Sequence, residues 1–63
     1  MNKAEALRKC VTRGQSEASA HRRRMSWLAA LDAGCTEQQI ADRTGYSKSN
    51  IHLEVTRAKA EKS

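Results

Sequence analysis

The chain reads as an all-α protein of three to four short helices around a trihelical core, and three observations carry that reading. There is no proline, and three glycines, Gly14, Gly34 and Gly45, cut the 63 residues into four pieces. Each piece repeats its apolar residues at helical spacing, and none shows the strict alternation of a strand. A residue suited to cap a helix, Asn2, Ser16, Thr36 or Ser47, stands at the head of each piece.

The first piece predicts a helix from Lys3 to Arg13, capped by Asn2 and ended by Gly14. Ala4, Leu7 and Val11 form its apolar stripe, and Glu5 is spaced to pair with Lys9. The second is expected to open at Ser16, with Glu17 in its first turn, and to run to Ala33 before Gly34. Trp27, Leu31, Leu28 and Met25 fall within an arc about 160° wide, which faces the core. Arg22 and Arg23 fall on the opposite side, toward water or phosphate. Arg24 projects into the apolar arc, so its stem is expected to run out along the edge of the core.

The third piece starts at Thr36, with Glu37 at the positive end of the helix dipole, and ends at Gly45 with Ile40, Ala41 and Thr44 inward. The fourth is capped by Ser47 and extends from Lys48 to about Lys59, its inner stripe formed by Ile51, Val55 and Ala58.

Charge is distributed unevenly. The chain holds 12 Lys and Arg against 7 Asp and Glu, a net charge of +5. Residues 1–31 carry seven basic and two acidic side chains, and residues 32–63 carry five of each, so the whole excess belongs to the first half. Clustered cations release counterions on meeting phosphates, which makes nucleic acid the first class of partner to consider.

Size excludes more than charge does. A domain this short buries only about 60% of the surface its unfolded chain exposes, and 10 of its 24 apolar residues are alanine. Such a core leaves little room for a buried active site and points to a non-enzymatic role, in either a tiny helical domain or a homodimer. No apolar run is long enough for a membrane span, and MNKAEALRKC lacks the apolar middle of a secretory signal, so an intracellular protein with no membrane partner is expected. Cys10 and Cys35, even taken with His21 and His52, have no common metal-site spacing; no metal and no cofactor are expected.

The segment Thr36 to Arg57, TEQQIADRTGYSKSNIHLEVTR, resembles the helix-turn-helix of small prokaryotic and phage DNA-binding proteins of the transcriptional-regulator type. Ala41 is small where two helices must approach, Gly45 stands at the tight turn, and Ile40, Tyr46 and Ile51 are apolar where that family buries side chains. Within the segment, IADRTGYSKSNI is the closest match, similar to stretches of small phage regulators, resolvase-type domains and sigma-factor region four. The pattern departs at Glu54, where an apolar residue is usual; it is expected at the edge of the inner stripe, pairing with Arg57 or facing a partner chain.

The resemblance implies that the outer face of the fourth helix enters the major groove. Ser47, Lys48, Ser49, His52, Leu53 and Thr56 form the expected base-facing set. Lys48 reaches guanine or phosphate, Ser49 and Thr56 bond either base type, and Leu53 packs on a thymine methyl. Arg22, Arg23, Thr36, Gln38, Gln39, Arg43, Arg57 and Lys59 form the expected DNA-backbone set.

The function expected is therefore sequence-specific double-stranded DNA binding by a phage or mobile-element regulator of repressor type. It would act as a homodimer on the nucleoid of a bacterial cell. Residues 15–63 would form the helix-turn-helix domain, and residues 1–14 an N-terminal helix that is either a dimerisation element, with Leu7, Cys10 and Val11 in reach of a second copy, or packed on the chain's own trihelical core. One alternative is an accessory DNA-binding protein of recombination, packaging or replication, since the TGYS turn is also similar to small terminase segments. The other is a helical module that binds a host protein through Leu53.

Overall fold

A computed structural model describes residues 2–15 and 19–62 as four helices in sequence: α1 (Lys3–Arg8), α2 (Ala20–Asp32), α3 (Glu37–Thr44) and α4 (Lys48–Lys62). No strand occurs among the described residues. The architecture is all-α, with α2 and α4 forming the most extensive pairing, α3 packed on both, and α1 laid across α2 and α3.

The later helices follow their local signals. The Thr36 hydroxyl accepts from the Gln39 N–H at 3.1 Å, and the Gln39 side chain returns to the Thr36 N–H at 2.9 Å, a complete capping box. Ile40, Ala41 and Thr44 are buried, as their spacing predicts. The Ser47 hydroxyl accepts from the Asn50 N–H at 3.1 Å at the head of α4, and Ile51, Val55 and Ala58 line its inner side. α4 continues one turn beyond the expected end, to Lys62.

In α2, Trp27 and Leu28 are buried and Met25 and Leu31 pack partly against them, with Ala30 completing the inner face. The helix is capped by Ser19, whose hydroxyl accepts from the Arg22 N–H; the expected start at Ser16 and Glu17 lies outside the described residues. At its other end the Gly34 N–H bonds to Leu31 O and the Cys35 N–H to Ala30 O, closing a Schellman motif around Gly34 at φ 106°.

The first helix departs most from expectation. Asn2 caps it as predicted, and Glu5 and Lys9 pair at 3.8 Å, but it ends at Arg8 rather than Arg13. The reason is competition from distant partners. The Val11 N–H donates to the Ser26 hydroxyl at 3.1 Å, the Val11 carbonyl accepts from Trp27 Nε1 at 3.1 Å, and the Arg13 N–H donates to the Thr44 carbonyl at 2.9 Å. These bonds draw residues 11–13 out of the helical ladder, and the β-branched pair Val11 and Thr12 gives it up at little cost. The buried face is accordingly Ala6, Cys10 and Val11; Ala4 is exposed and Leu7 only half-buried.

The core gathers Cys10, Trp27, Ile40 and Ile51, all fully enclosed. Both cysteines are free thiols, and burial pushes Cys10 up to about 11. The expected availability of Cys10 and Val11 to a second copy is not met, because both are inside the one chain.

Candidate nucleic-acid interface

The geometry of the candidate interface is set by the link between α3 and α4. Gly45 adopts φ 85°, ψ 0°, a left-handed conformation that costs glycine nothing, and its N–H bonds to Ala41 O at 3.0 Å. The Thr44 hydroxyl donates to Ile40 O at 2.7 Å and accepts from the Tyr46 N–H at 3.3 Å, which ties the residue after the glycine back to the last turn of α3. The Tyr46 ring then meets Trp27 edge-on, centroids 5.0 Å apart, which anchors the start of α4 to the middle of α2.

With Ile51, Val55 and Ala58 inward, the opposite side of α4 is open. Ser47, Lys48, Ser49, His52, Leu53 and Thr56 are all exposed along one stretch of the molecule. Leu53 is 50% accessible and is the one large exposed hydrophobic side chain among the described residues. Several of the set already have local partners. His52 Nδ1 lies 2.8 Å from Glu37 Oε2, so that ring nitrogen donates to the carboxylate and joins α4 to the head of α3. The Thr56 hydroxyl donates to His52 O at 2.8 Å.

The expected backbone set is divided. Arg22, Arg43, Arg57 and Lys59 are exposed, as are Thr36, Gln38 and Gln39 at the head of α3. Thr36 and Gln39 are engaged in the capping box, Gln38 donates to Asp42 at 2.9 Å, and Arg43 Nη2 reaches Arg8 O at 3.4 Å. Arg23 is not on the outer side. Its guanidinium lies 5.7 Å from the Trp27 ring centroid and 5.6 Å from that of Tyr46, and 3.6 Å from Glu54.

Glu54 also departs from expectation. It does not pair with Arg57; it is buried and takes Arg24 Nε at 2.6 Å, while Arg24 Nη1 holds Glu61 at 2.8 Å. The hydrogen bond from Arg24 is the main cause that holds the Glu54 carboxyl below its ordinary range, and the charges of Arg24, Arg23 and Arg57 add to it. Thus α2 and α4 are joined by a network of two arginines and two glutamates along the flank of the core. Its consequence for the surface is direct: both acids of α4 are turned toward α2, and the outer face of α4 carries none.

A further group emerges at the turn. Arg13, Gly45, Tyr46, Ser47 and Asn50 line an open cleft of about 470 Å³ beside the first turn of α4. Nothing in the periodicity links Arg13 to this place. It arrives there because α1 stops early and the Arg13 N–H is tied to Thr44 O.

Comparison with models of known families, with curated proteins and with solved structures finds no match to this chain.

Proposed function

We propose that the chain binds double-stranded DNA sequence-specifically, as a helix-turn-helix protein that lays the outer face of α4 in the major groove. One observation carries the reading. The face formed by Ser47, Lys48, Ser49, His52, Leu53 and Thr56 is exposed and carries no acid of α4, because Glu54 and Glu61 are bonded to Arg24. The carboxylate beside it, Glu37 of α3, is held by His52 Nδ1 at 2.8 Å, and the face offers hydroxyl, ammonium and methyl groups to base edges.

The role proposed is that of a phage or mobile-element regulator, repressor-like and non-enzymatic, acting on the nucleoid as a homodimer. Two copies related by a twofold axis would reach successive major grooves about 34 Å apart. Selection of duplexes from a random library by the purified protein, repeated at several salt concentrations, tests the reading. A defined motif that survives moderate salt is expected; steeply salt-sensitive binding without a motif would reduce the activity to charge alone. Ser49→Ala and Leu53→Ala should then change sequence preference, and Arg22→Ala should weaken all sequences alike.

Leu53 favours a second reading, a helical module that docks on a host protein, since a half-exposed leucine opposite the core stripe suits an apolar contact. Absence of any duplex binding by the folded chain would move the assignment there.

A further inference from the structure

We infer that Arg13 is a phosphate-holding residue of the DNA interface, placed at the opposite end of α3 from Thr36 and Gln38. The inference rests on the DNA-binding reading above and adds to it a contact from the segment between α1 and α2, outside the two helices of the motif.

Three observations carry it. First, Arg13 is tethered at its backbone: its N–H donates to the Thr44 carbonyl at 2.9 Å, which fixes it against the last turn of α3. Second, its stem lies over the turn glycine. A Cβ added at Gly45 would stand 3.6 Å from Arg13 Cβ and 4.0 Å from Cδ, so the side chain runs along the turn before it reaches water. Third, it shares an open cleft with Tyr46, Ser47 and Asn50, none of them acidic, and forms no ion pair among the described residues. Arg24 has two carboxylates and Arg23 has one; Arg13 has an exposed guanidinium beside a neutral polar cleft.

The dimensions select the occupant. From Thr36 to Thr44 the helical rise is about 12 Å, and the major groove of B-DNA is about 12 Å wide. Groups at the two ends of α3 are therefore a groove-width apart. With the head of α3 at the phosphates of one strand, Arg13 stands at those of the other, and its planar fork suits two oxygens of one phosphodiester. The backbone tether reduces the freedom lost on contact.

The test uses the full chain, its selected duplex and three variants: the charge-matched Arg13→Gln and Lys9→Gln, and the charge-retaining Arg13→Lys. Lys9, the residue that follows α1, is exposed, paired with Glu5 and not among the residues that line the cleft. Arg13→Gln should weaken binding several-fold on specific and unrelated duplexes alike and lower the slope of log affinity against log salt by about 0.9. Arg13→Lys should recover part of the loss. Lys9→Gln should leave the slope within error of the original, and unchanged thermal midpoints would establish that all variants fold. Equal losses for Arg13→Gln and Lys9→Gln would overturn the proposal in favour of diffuse charge, as would an unchanged slope in Arg13→Gln. In both cases duplex binding by the unmodified chain would leave the DNA reading standing. A folded chain that binds no duplex would overturn both.

Discussion

Glu54 shows how one side chain changes the meaning of a sequence pattern. By position it interrupts the apolar stripe of α4, yet it is buried to 7% exposure because two arginines from α2 converge on it. A carboxyl whose folded value is depressed stabilises the fold at pH values above its unfolded value, and that contribution is lost as pH falls through the folded one. Stability should therefore hold at neutrality and fall once pH drops below the ordinary 4.5. Glu54→Gln should cost about 1–3 kcal/mol near pH 7, through the loss of charge-assisted bonds to Arg24, and should flatten the acid limb of the curve. Urea unfolding followed by circular dichroism at pH 7 and pH 3 measures both; an acid limb of unchanged slope in the variant would remove Glu54 as its source.

At the scale of elements, the connection between α3 and α4 has the most strongly specified backbone. Gly45→Ala meets Arg13 Cβ at an ordinary 3.6 Å, so the penalty comes from the positive φ alone. It should amount to about 1–2 kcal/mol, seen as a fall of several degrees in the thermal midpoint with helix content retained. A larger loss would mean that the Arg13 stem also resists displacement. This turn was legible in the sequence because its determinants are local: Thr36, Gly45 and Ser47 each act on backbone groups within a few residues. So was the exposed face of α4, which follows from the burial of Ile51, Val55 and Ala58. The end of α1 was not legible, since it depends on Ser26, Trp27 and Thr44 competing for the peptide groups of Val11 and Arg13. The inward turn of Arg23 was legible in part: four residues before Trp27, it lies only about 40° from it around the helix, at the edge of the apolar arc. What the spacing could not show is that Tyr46 and the Glu54 carboxylate arrive from other elements to meet its guanidinium.

For the whole molecule, the accessible surface of 4025 Å² and mass of 7.0 kDa can be set against the roughly 4,040 Å² that size scaling gives a folded monomer. The single chain thus closes its own core, and Cys10 and Val11 lie within it. On the proposed DNA-binding function, pairing of two copies is then expected on the duplex rather than before it. Sedimentation equilibrium should return the 7.0 kDa species for the free protein, and a duplex with two half-sites should take up two copies. A stable dimer without DNA would require an interface other than those two residues. The charge of the molecule is also redistributed by folding. Arg23 and Arg24 neutralise acids of the second half, so the exposed cations outside the ion pairs include Lys3, Arg8, Arg13 and Arg22 in the first half and Arg43, Lys48 and Arg57 in the second.

Trp27 is the sole tryptophan of the chain, and its indole touches the segment after α1 through Val11, the α3–α4 turn through Tyr46, and α2 through Arg23. The protein therefore carries its own optical probe. Detachment of either the N-terminal segment or α4 would admit water to one fluorophore, and the shift of its emission to longer wavelength would register the event without any attached label.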